Sequence, residues 1–558
     1  MQNAETSGHA TRNTQHFPLN PQPSTLNLLL WLLLPACASV LLLATTNKLC
    51  QDVAVIPFLW VAPLALYLLS FIICFDSPRW YVRFPFALAL VAALSGLCWA
   101  LYNGSDLSVL GQVAIYCSGL FICCMVCHGE LYRLRPDPSH LTGYYLMIAA
   151  GGALGGVLVA VVAPLVFTDY YELHWGLFAC GLLFLTVCIC DRAAKPGWNE
   201  WRWLACALTL ATFAGLDRLL AWLPAHAPAV AKAAFNGLRI GMWTVLVVLV
   251  ASWIARKKFQ SFHHWRFLTC AWLGLGLVAL GTILWTQGHD SDGERVYQSR
   301  NFYGVLTVYE HKKQDPDSHH FLLQHGRITH GLQFVDPAQM LLPVSYYGPE
   351  SGIALGVDAL PAGRRRIGVV GLGTGTMAAF GRAGDYLRFY EINSQVQAVA
   401  TSWFHYLPKC AGDVEVALGD ARLSLENEPP QHFDLLVLDA FSSDAVPVHL
   451  LTREAFEVYE RHLNTNGIIA VHISNHYLDL EPVVVNLARH FGYKLASIDF
   501  DENDEEWWLY SSTWVLLSHN ERIISSPAIR GAASTVKTND TRMPLWTDDF
   551  ASLFQILR

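Results

Sequence analysis

Arg366-Ile-Gly-Val-Val-Gly-Leu-Gly-Thr-Gly-Thr376 carries a short apolar run into a loop with glycine at every second position, and Met377-Ala-Ala-Phe380 follows with helical composition. An apolar run of this length bounded by glycine reads as a buried strand. Glycine lets the backbone approach a ligand closely, and the N–H groups that open a helix favour electron-rich groups. Strand, glycine turn and helix together predict a nucleotide cradle built on Gly371, Gly373, Thr374 and Gly375. A lone G-x-G-x-G is a weak signal, so the elements that follow decide the reading.

Leu387-Arg-Phe-Tyr390 reads as a second strand ending at Glu391. An acid at a strand end about 20 positions past the first glycine is placed to accept bonds from ribose hydroxyls. Val414-Glu-Val-Ala417 leads to Gly419-Asp420-Ala421, where Asp420 could accept from an adenine amino group. Phe433-Asp-Leu-Leu-Val-Leu438 is a central-strand run ending in Asp439, followed by Ala-Phe-Ser-Ser-Asp444. Strand ends bearing Glu391, Asp420 and Asp439 converge on one edge with the glycine loop, and in open α/β sheets that edge binds ligand. NAD is the rival occupant of such a sheet. The Gly-Asp-Ala element and the acidic end of the fourth strand favour an adenosyl sulfonium compound instead.

In this order, Gly371-Leu-Gly-Thr-Gly, Glu391-Ile-Asn, Gly419-Asp-Ala and Asp439…Asp444 resemble the spermidine synthase (polyamine aminopropyltransferase) family. His325-Gly…Thr329-His-Gly, Phe441-Ser-Ser-Asp-Ala-Val-Pro-Val-His-Leu-Leu-Thr452 and His472-Ile-Ser-Asn475 resemble its bacterial membrane-fused subgroup. The resemblance implies a Rossmann-like domain of the S-adenosylmethionine-transferase type. It implies an aminopropyl group passed from decarboxylated S-adenosylmethionine to an amine or polyamine, and pairing into homo-oligomers. Carried over residue by residue, Asp439 is the base that activates the amine and Asp444 holds the substrate amine. Glu391 binds ribose, Asp420 and Ala421 the adenine, and Tyr346 and Tyr347 lie on the substrate side. No metal is expected. The chemistry agrees, because an amine is a nucleophile only when deprotonated and a placed carboxylate assists. Carboxylates also pair with the remaining ammonium of a diamine.

The sequence departs from the family in three places. Thr374 stands where the family carries an aspartate that holds the amino group of the donor. Asp439 and Asp444 are two residues further apart than in the usual D-x-x-D. The tyrosine-histidine-glutamate element is missing, and Tyr346-Tyr347 and Glu350 occupy its region. Two other readings therefore stay open: a methyltransferase using intact S-adenosylmethionine, and a sensor or transporter that only binds a polyamine or adenosyl ligand.

Outward from this domain the composition changes. The chain of 558 residues is 53% hydrophobic and 15% charged, below the roughly 25% of a soluble globular chain. Residues 1–286 hold 16 Lys+Arg and 11 Asp+Glu, whereas 287–558 hold 21 and 34. The acidic half disfavours nucleic acid, whose phosphates need a basic surface. Apolar runs near the 20 residues needed to span a bilayer lie at roughly 26–45, 55–75, 84–102, 109–127, 143–167, 173–190, 202–222, 238–255 and 266–286. The seventh is weakest, since Asp217 and Arg218 fall inside it. The expected organisation is a polar tail 1–25, a membrane domain 26–286 of about nine helices, a small β module 287–355 and the Rossmann-like domain 356–558. The first run lacks a clean cleavage site and reads as a retained helix, not a signal peptide. Arg79, Arg83, Arg133, Arg135, Arg192, Lys195, Arg202, Arg256, Lys257, Lys258 and Arg266 fall in alternate loops, which places the N-terminus inside. Nine spans then put the C-terminal domain outside, against the cytoplasmic supply of adenosyl compounds. The resemblance places the chain in the bacterial inner membrane with the side of that domain open.

Thirteen of the 14 cysteines lie before residue 287, and only Cys410 after it, so no disulfide framework is implied. Cys124-Met-Val-Cys127-His128 matches the C-x-x-C-H haem attachment pattern. It sits inside an apolar run, and cysteines there read as small packing residues. His128, Glu130, Arg133 and Arg135 read as a helix-end ion-pair cluster, and Gly151, Gly152, Gly155 and Gly156 as a helix-packing stripe. Asp548-Asp549 is expected either to close over the acceptor site or to form an exposed turn. The run from Asp499 to Glu506 reads as a solvated acidic loop. His472 and His476 follow a strand-like run without the three or four converging ligands of a metal site.

Overall fold

The computed structural model describes residues 24–53, 59–103, 107–190, 265–289, 294–326, 328–440, 447–475, 478–502, 505–536 and 543–557, with positions 210, 211, 213–218, 239, 242 and 243. They fall into two units, one helical and one sheet-rich.

The helical unit contains α1 (Thr25–Asn47), α2 (Val61–Asp76), α3 (Arg83–Asn103), α4 (Val109–Arg133), α5 (Leu141–Val157), α6 (Glu172–Cys190) and α7 (Trp265–His289). Five stretches are long and apolar enough to cross a membrane by length and composition: Thr25–Cys50, Arg83–Asn103, Val109–Arg133, Pro138–Val166 and Glu172–Cys190. Val61–Asp76 and Leu273–Gln287 are apolar but shorter. The expected spans 202–222 and 238–255 lie outside the described residues apart from isolated positions. Asp217, the acid that weakens the first of these, is gripped at both oxygens by Arg239, at 2.7 and 2.8 Å.

Half of the glycine stripe packs as expected. A Cβ at Gly151 would stand 2.2 Å from the Leu32 carbonyl, and one at Gly155 2.5 Å from that of Ala36, whereas Gly152 and Gly156 face open space. The helix-end cluster also forms. The fully buried Glu130 receives Arg83 at 2.7 and 2.6 Å and the Tyr81 hydroxyl at 2.8 Å. A buried carboxylate is tolerable only when paired and bonded in this way.

The sheet-rich unit opens with an antiparallel sheet of β1 (Arg295–Asn301), β2 (Gly304–His311), β3 (His320–His325) and β4 (Ile328–Phe334), in that spatial order. The parallel strands that follow are β5 (Arg366–Val370), β6 (Tyr386–Glu391), β7 (Asp413–Leu418), β8 (Phe433–Leu438) and β9 (Leu463–His472). Then come β10 (Lys494–Phe500), β11 (Ser512–Ser518) and β12 (Ala533–Ser534). Together they form one sheet in the order β12-β10-β11-β9-β8-β5-β6-β7, whose first four strand pairs from β7 to β9 are parallel.

Alternation along the strands builds two cores. Ile367, Val369, Leu435, Val437, Ile468 and Ala470 face one side, and Leu306, Val308, Leu323, Leu332 and Phe334 of the small sheet join them. Val370, Leu436, Leu438, Ile469 and Val471 face the other, with Leu425, Phe456, Tyr459, Val484 and Leu487. Strand order reverses at β5, which has β6 on one side and β8 on the other. That switch point is where such sheets open a crevice.

One expected element differs. Thr376–Phe380 is a single 3-10 turn, not an α-helix. Gly381 follows it at once, and a Cβ there would press to 2.4 Å on the Cys410 sulfur. The chain turns away before a helix can propagate, so no long helix points at the glycine loop.

Candidate active site

The crevice is a cavity of about 210 Å³ over the C-terminal ends of β5, β6 and β8. Its walls include Gly371, Gly373, Thr374, Glu391, Asp420, Ala421, Asp439, Tyr346 and Tyr347. Residues nearly a hundred positions apart in sequence thus meet. Gly375 is not on the wall; at φ +85° it turns the chain into the 3-10 turn. Asp444 lies outside the described residues, as does His476.

The glycine loop is fixed by contacts only glycine permits. The Asp439 N–H donates to the Val370 carbonyl at 2.9 Å, tying the ends of β8 and β5. Gly371 has φ +98°, and a Cβ on it would lie 2.2 Å from the Asp439 carbonyl oxygen. From the other side, Glu391 accepts from the N–H groups of Leu372 at 3.0 Å and Asn393 at 2.8 Å. Burial pushes the Glu391 carboxyl above its usual range, and the N–H bonds of Asn393, Leu372 and Ile392 pull against that shift.

Asp439 is held at both of its oxygens. Its Oδ2 accepts from the Tyr347 hydroxyl at 2.5 Å and its Oδ1 from His472 Nδ1 at 2.7 Å. Ser474 Oγ lies 2.9 Å from His472 Nε2 and accepts from the Thr513 N–H at 2.8 Å. An ionised carboxylate only accepts, so the proton between His472 and Asp439 is carried by Nδ1. The His472 ring is sandwiched between Tyr346 and Trp514, each 4.6 Å away between centroids. Burial, then the charge on Asp439, raises both tyrosine hydroxyls well above their ordinary range, so they stay protonated donors.

Two expected contacts carry other duties. Asp420 caps the helix Ala421–Asn427 by accepting from the Leu423 N–H at 2.9 Å. Its second oxygen accepts from His449 Nε2 at 2.8 Å. Thr374 is buried and bonds Thr376 at 2.8 Å, presenting no charge. Asp548 grips Arg422 at 2.7 and 2.6 Å and accepts from Thr452 at 2.9 Å, which pins the C-terminal segment to two helix starts. The Arg422 bond and then Thr452 hold its carboxyl down at about 2 against the opposing effect of burial.

Sequence reading missed His472 as a partner of Asp439 and His330 as a wall. His330 precedes Gly331 in β4 and lies over the loop, its carbonyl 3.1 Å from where a Gly373 Cβ would be. Burial, then the neighbouring His325 and His472, lowers its imidazole to about 3. Its Nε2 is buried with no hydrogen-bond partner among the described residues. The neutral ring therefore offers the cavity one unmet polar atom. The only signal in sequence was the Thr329-His-Gly element itself.

No family model matches the chain. A curated polyamine aminopropyltransferase from Vibrio vulnificus (strain CMCP6) is 25% identical over 179 residues, covering 31% of this chain. The chain spans 57% of that relative's length. A crystal structure of a probable spermidine synthase from Corynebacterium glutamicum ATCC 13032 is similar at TM-score 0.32 and 20% identity, over 40% of this chain and 79% of its own. That of spermidine synthase from Thermotoga maritima is similar at TM-score 0.30 and 10% identity, over 46% and 82%.

Proposed function

We propose that this spermidine synthase-like chain is a membrane-bound transferase that moves an aminopropyl group from decarboxylated S-adenosylmethionine to an amine or polyamine. The observation that carries the reading is Asp439, a strand-end carboxylate held by Tyr347 and His472 against the glycine loop in the cavity that Glu391 shares. The curated aminopropyltransferase relative supports it, and the five long apolar helices support anchoring in a bilayer, the inner membrane by resemblance.

In this reading Glu391 takes the ribose hydroxyls, and Ala421 with Asp420 bounds the adenine. A ligand polar group satisfies the orphaned His330 nitrogen. The amine nitrogen attacks the carbon next to the sulfonium, the carbon–sulfur bond breaks, and methylthioadenosine leaves. Asp439 accepts the proton the amine loses. Two donors already hold this carboxylate, so its orientation is set before substrate arrives. Asp444 remains the proposed holder of the distal amine, and homo-oligomerisation remains a proposal.

Thr374 favours a second reading. A buried neutral hydroxyl leaves no anion at that point of the loop for a donor ammonium, which suits a methyltransferase using intact S-adenosylmethionine. Product analysis by mass spectrometry decides. Purified full-length protein in detergent receives decarboxylated or intact S-adenosylmethionine with a panel of amines. Methylthioadenosine with a lengthened amine supports aminopropyl transfer, and S-adenosylhomocysteine overturns it for methyl transfer. Binding without either product would point to a sensor or transporter.

A further inference from the structure

Three thiols from three helices meet inside the helical unit: Cys37 of α1, Cys127 of α4 and Cys180 of α6. Their sulfurs all lie within 4.8 Å of one another, and those of Cys127 and Cys180 are 4.0 Å apart. The residues are 5%, 1% and 1% exposed. Sequence spacing could not reveal the group. The C-x-x-C-H run contributes only Cys127 to it.

The surrounding packing holds the sulfurs in register. The Cys37 thiol donates to the Gly176 carbonyl at 3.6 Å. A Cβ at Gly176 would stand 2.9 Å from the Leu41 side chain, so α1 and α6 are in close contact at this level. Metal–sulfur bonds of about 2.3 Å would set three thiolates about 4.0 Å apart around a trigonal ion. The observed spacing meets that with sub-ångström adjustment. Cys123, one turn before Cys127 on α4, also hydrogen-bonds Cys180, but among the described residues only the sulfurs of Cys37, Cys127 and Cys180 all lie within 4.8 Å of one another. Soft thiolate sets take Cu(I), zinc or iron–sulfur clusters, but structural zinc is almost always held by four ligands, so three mutually close sulfurs fit a trigonal Cu(I) best. We propose that Cys37, Cys127 and Cys180 form a three-sulfur binding site for Cu(I) within the helical unit.

Each thiol that binds as thiolate releases a proton, so affinity rises with pH. The test uses the full-length, reduced protein in detergent, titrated with Cu(I) buffered by bicinchoninate. One equivalent should leave the chelator. Cys180→Ser and Cys127→Ala should each weaken retention by about a hundredfold or more, since even outer-shell partners are worth about 10–100-fold. Cys98→Ser, buried on α3 outside the group, should bind like the parent. X-ray absorption on the loaded parent needs no variant, and should give three sulfur neighbours at about 2.3 Å. Failure to withdraw Cu(I) would overturn the site, as would equal retention in all three variants or a shell of two sulfurs or of nitrogen and oxygen. A stable Cys127–Cys180 disulfide in protein isolated without reductant would overturn it too.

Discussion

Replacing Gly371 with alanine tests whether the glycine loop sets the position of Asp439. The new Cβ would lie 2.2 Å from the Asp439 carbonyl oxygen and 3.2 Å from the Ala440 Cα, and Cβ contacts under 3.0 Å essentially never occur. The neighbour is backbone, so no side chain can swing aside. Relief needs the end of β8 to move by about 1 Å, and a misplacement of that size costs about 10²-fold in rate. Separately, φ of +98° makes an L-residue pay about 1–2 kcal/mol of backbone strain. Gly384→Ala separates the two effects, because Gly384 has φ +90° but nothing within 4 Å of its Cβ position. Both variants should lose stability from the φ strain in urea denaturation followed by tryptophan fluorescence, Gly371→Ala the more because its clash adds to the strain. Only Gly371→Ala should lose methylthioadenosine release, by about a hundredfold. Equal turnover in the two would refute the claim that this contact positions the carboxylate.

Asp439→Asn should lower turnover by about 10²–10⁴-fold with adenosyl-ligand binding nearly intact, checked by product release and calorimetry; unchanged turnover would remove Asp439 from the chemistry. Arg365 and Asp385 form an ion pair with side chains 2% and 1% exposed, so Arg365→Met should destabilise the sheet-rich unit by about 3–5 kcal/mol, read as a shifted denaturation midpoint. Burial opposes ionisation of Asp385, but the Arg365 bond and the N–H groups of Arg382 and Arg365 win and hold it below the carboxylate range. Its stabilisation is therefore present above pH ~4 and fades as pH falls through the lowered value, so acid should erode the parent more steeply than Arg365→Met over that window. His330 is held near 3 against an ordinary 6.5, so the unfolded chain alone takes its proton between those values. Stability should fall as pH drops from about 6.5 towards 3, and a denaturation series on His330→Gln should be flatter there.

The strands β5 to β8 and their terminal acids were legible because each is a local property. An apolar run, a glycine and a carboxylate specify strand, turn and ligand edge within ten residues. The sheet then brings Glu391, Asp420 and Asp439 together by a general rule of topology. What stayed hidden depended on which elements lie side by side. His472 meets Asp439 because β9 pairs with β8, at Leu438 opposite Val471; in sequence the His472-Ile-Ser-Asn475 element gave no sign of that partner. The capping duty of Asp420 was available in principle, since aspartate before a helix is an N-cap signal. The 3-10 turn at Thr376–Phe380 was misread as a helix because composition does not reveal the close approach of Gly381 to Cys410.

Thr374 joins the two levels. Gly331 has φ +135°, and a Cβ on it would stand 2.5 Å from Thr374 Oγ1. The glycine of Thr329-His-Gly therefore makes room for the threonine side chain, and the small sheet closes over the loop at that point. The neutral hydroxyl is matched by a second residue in a different element, and the pair fills the space where a longer acidic side chain would have to enter. The carboxylates on the cavity wall are Glu391, Asp420 and Asp439, and in the proposed reading Asp439 is the one of these that faces the amine. In the proposed reading, that neutral point in the loop, more than the glycines around it, is what the choice between aminopropyl and methyl transfer turns on.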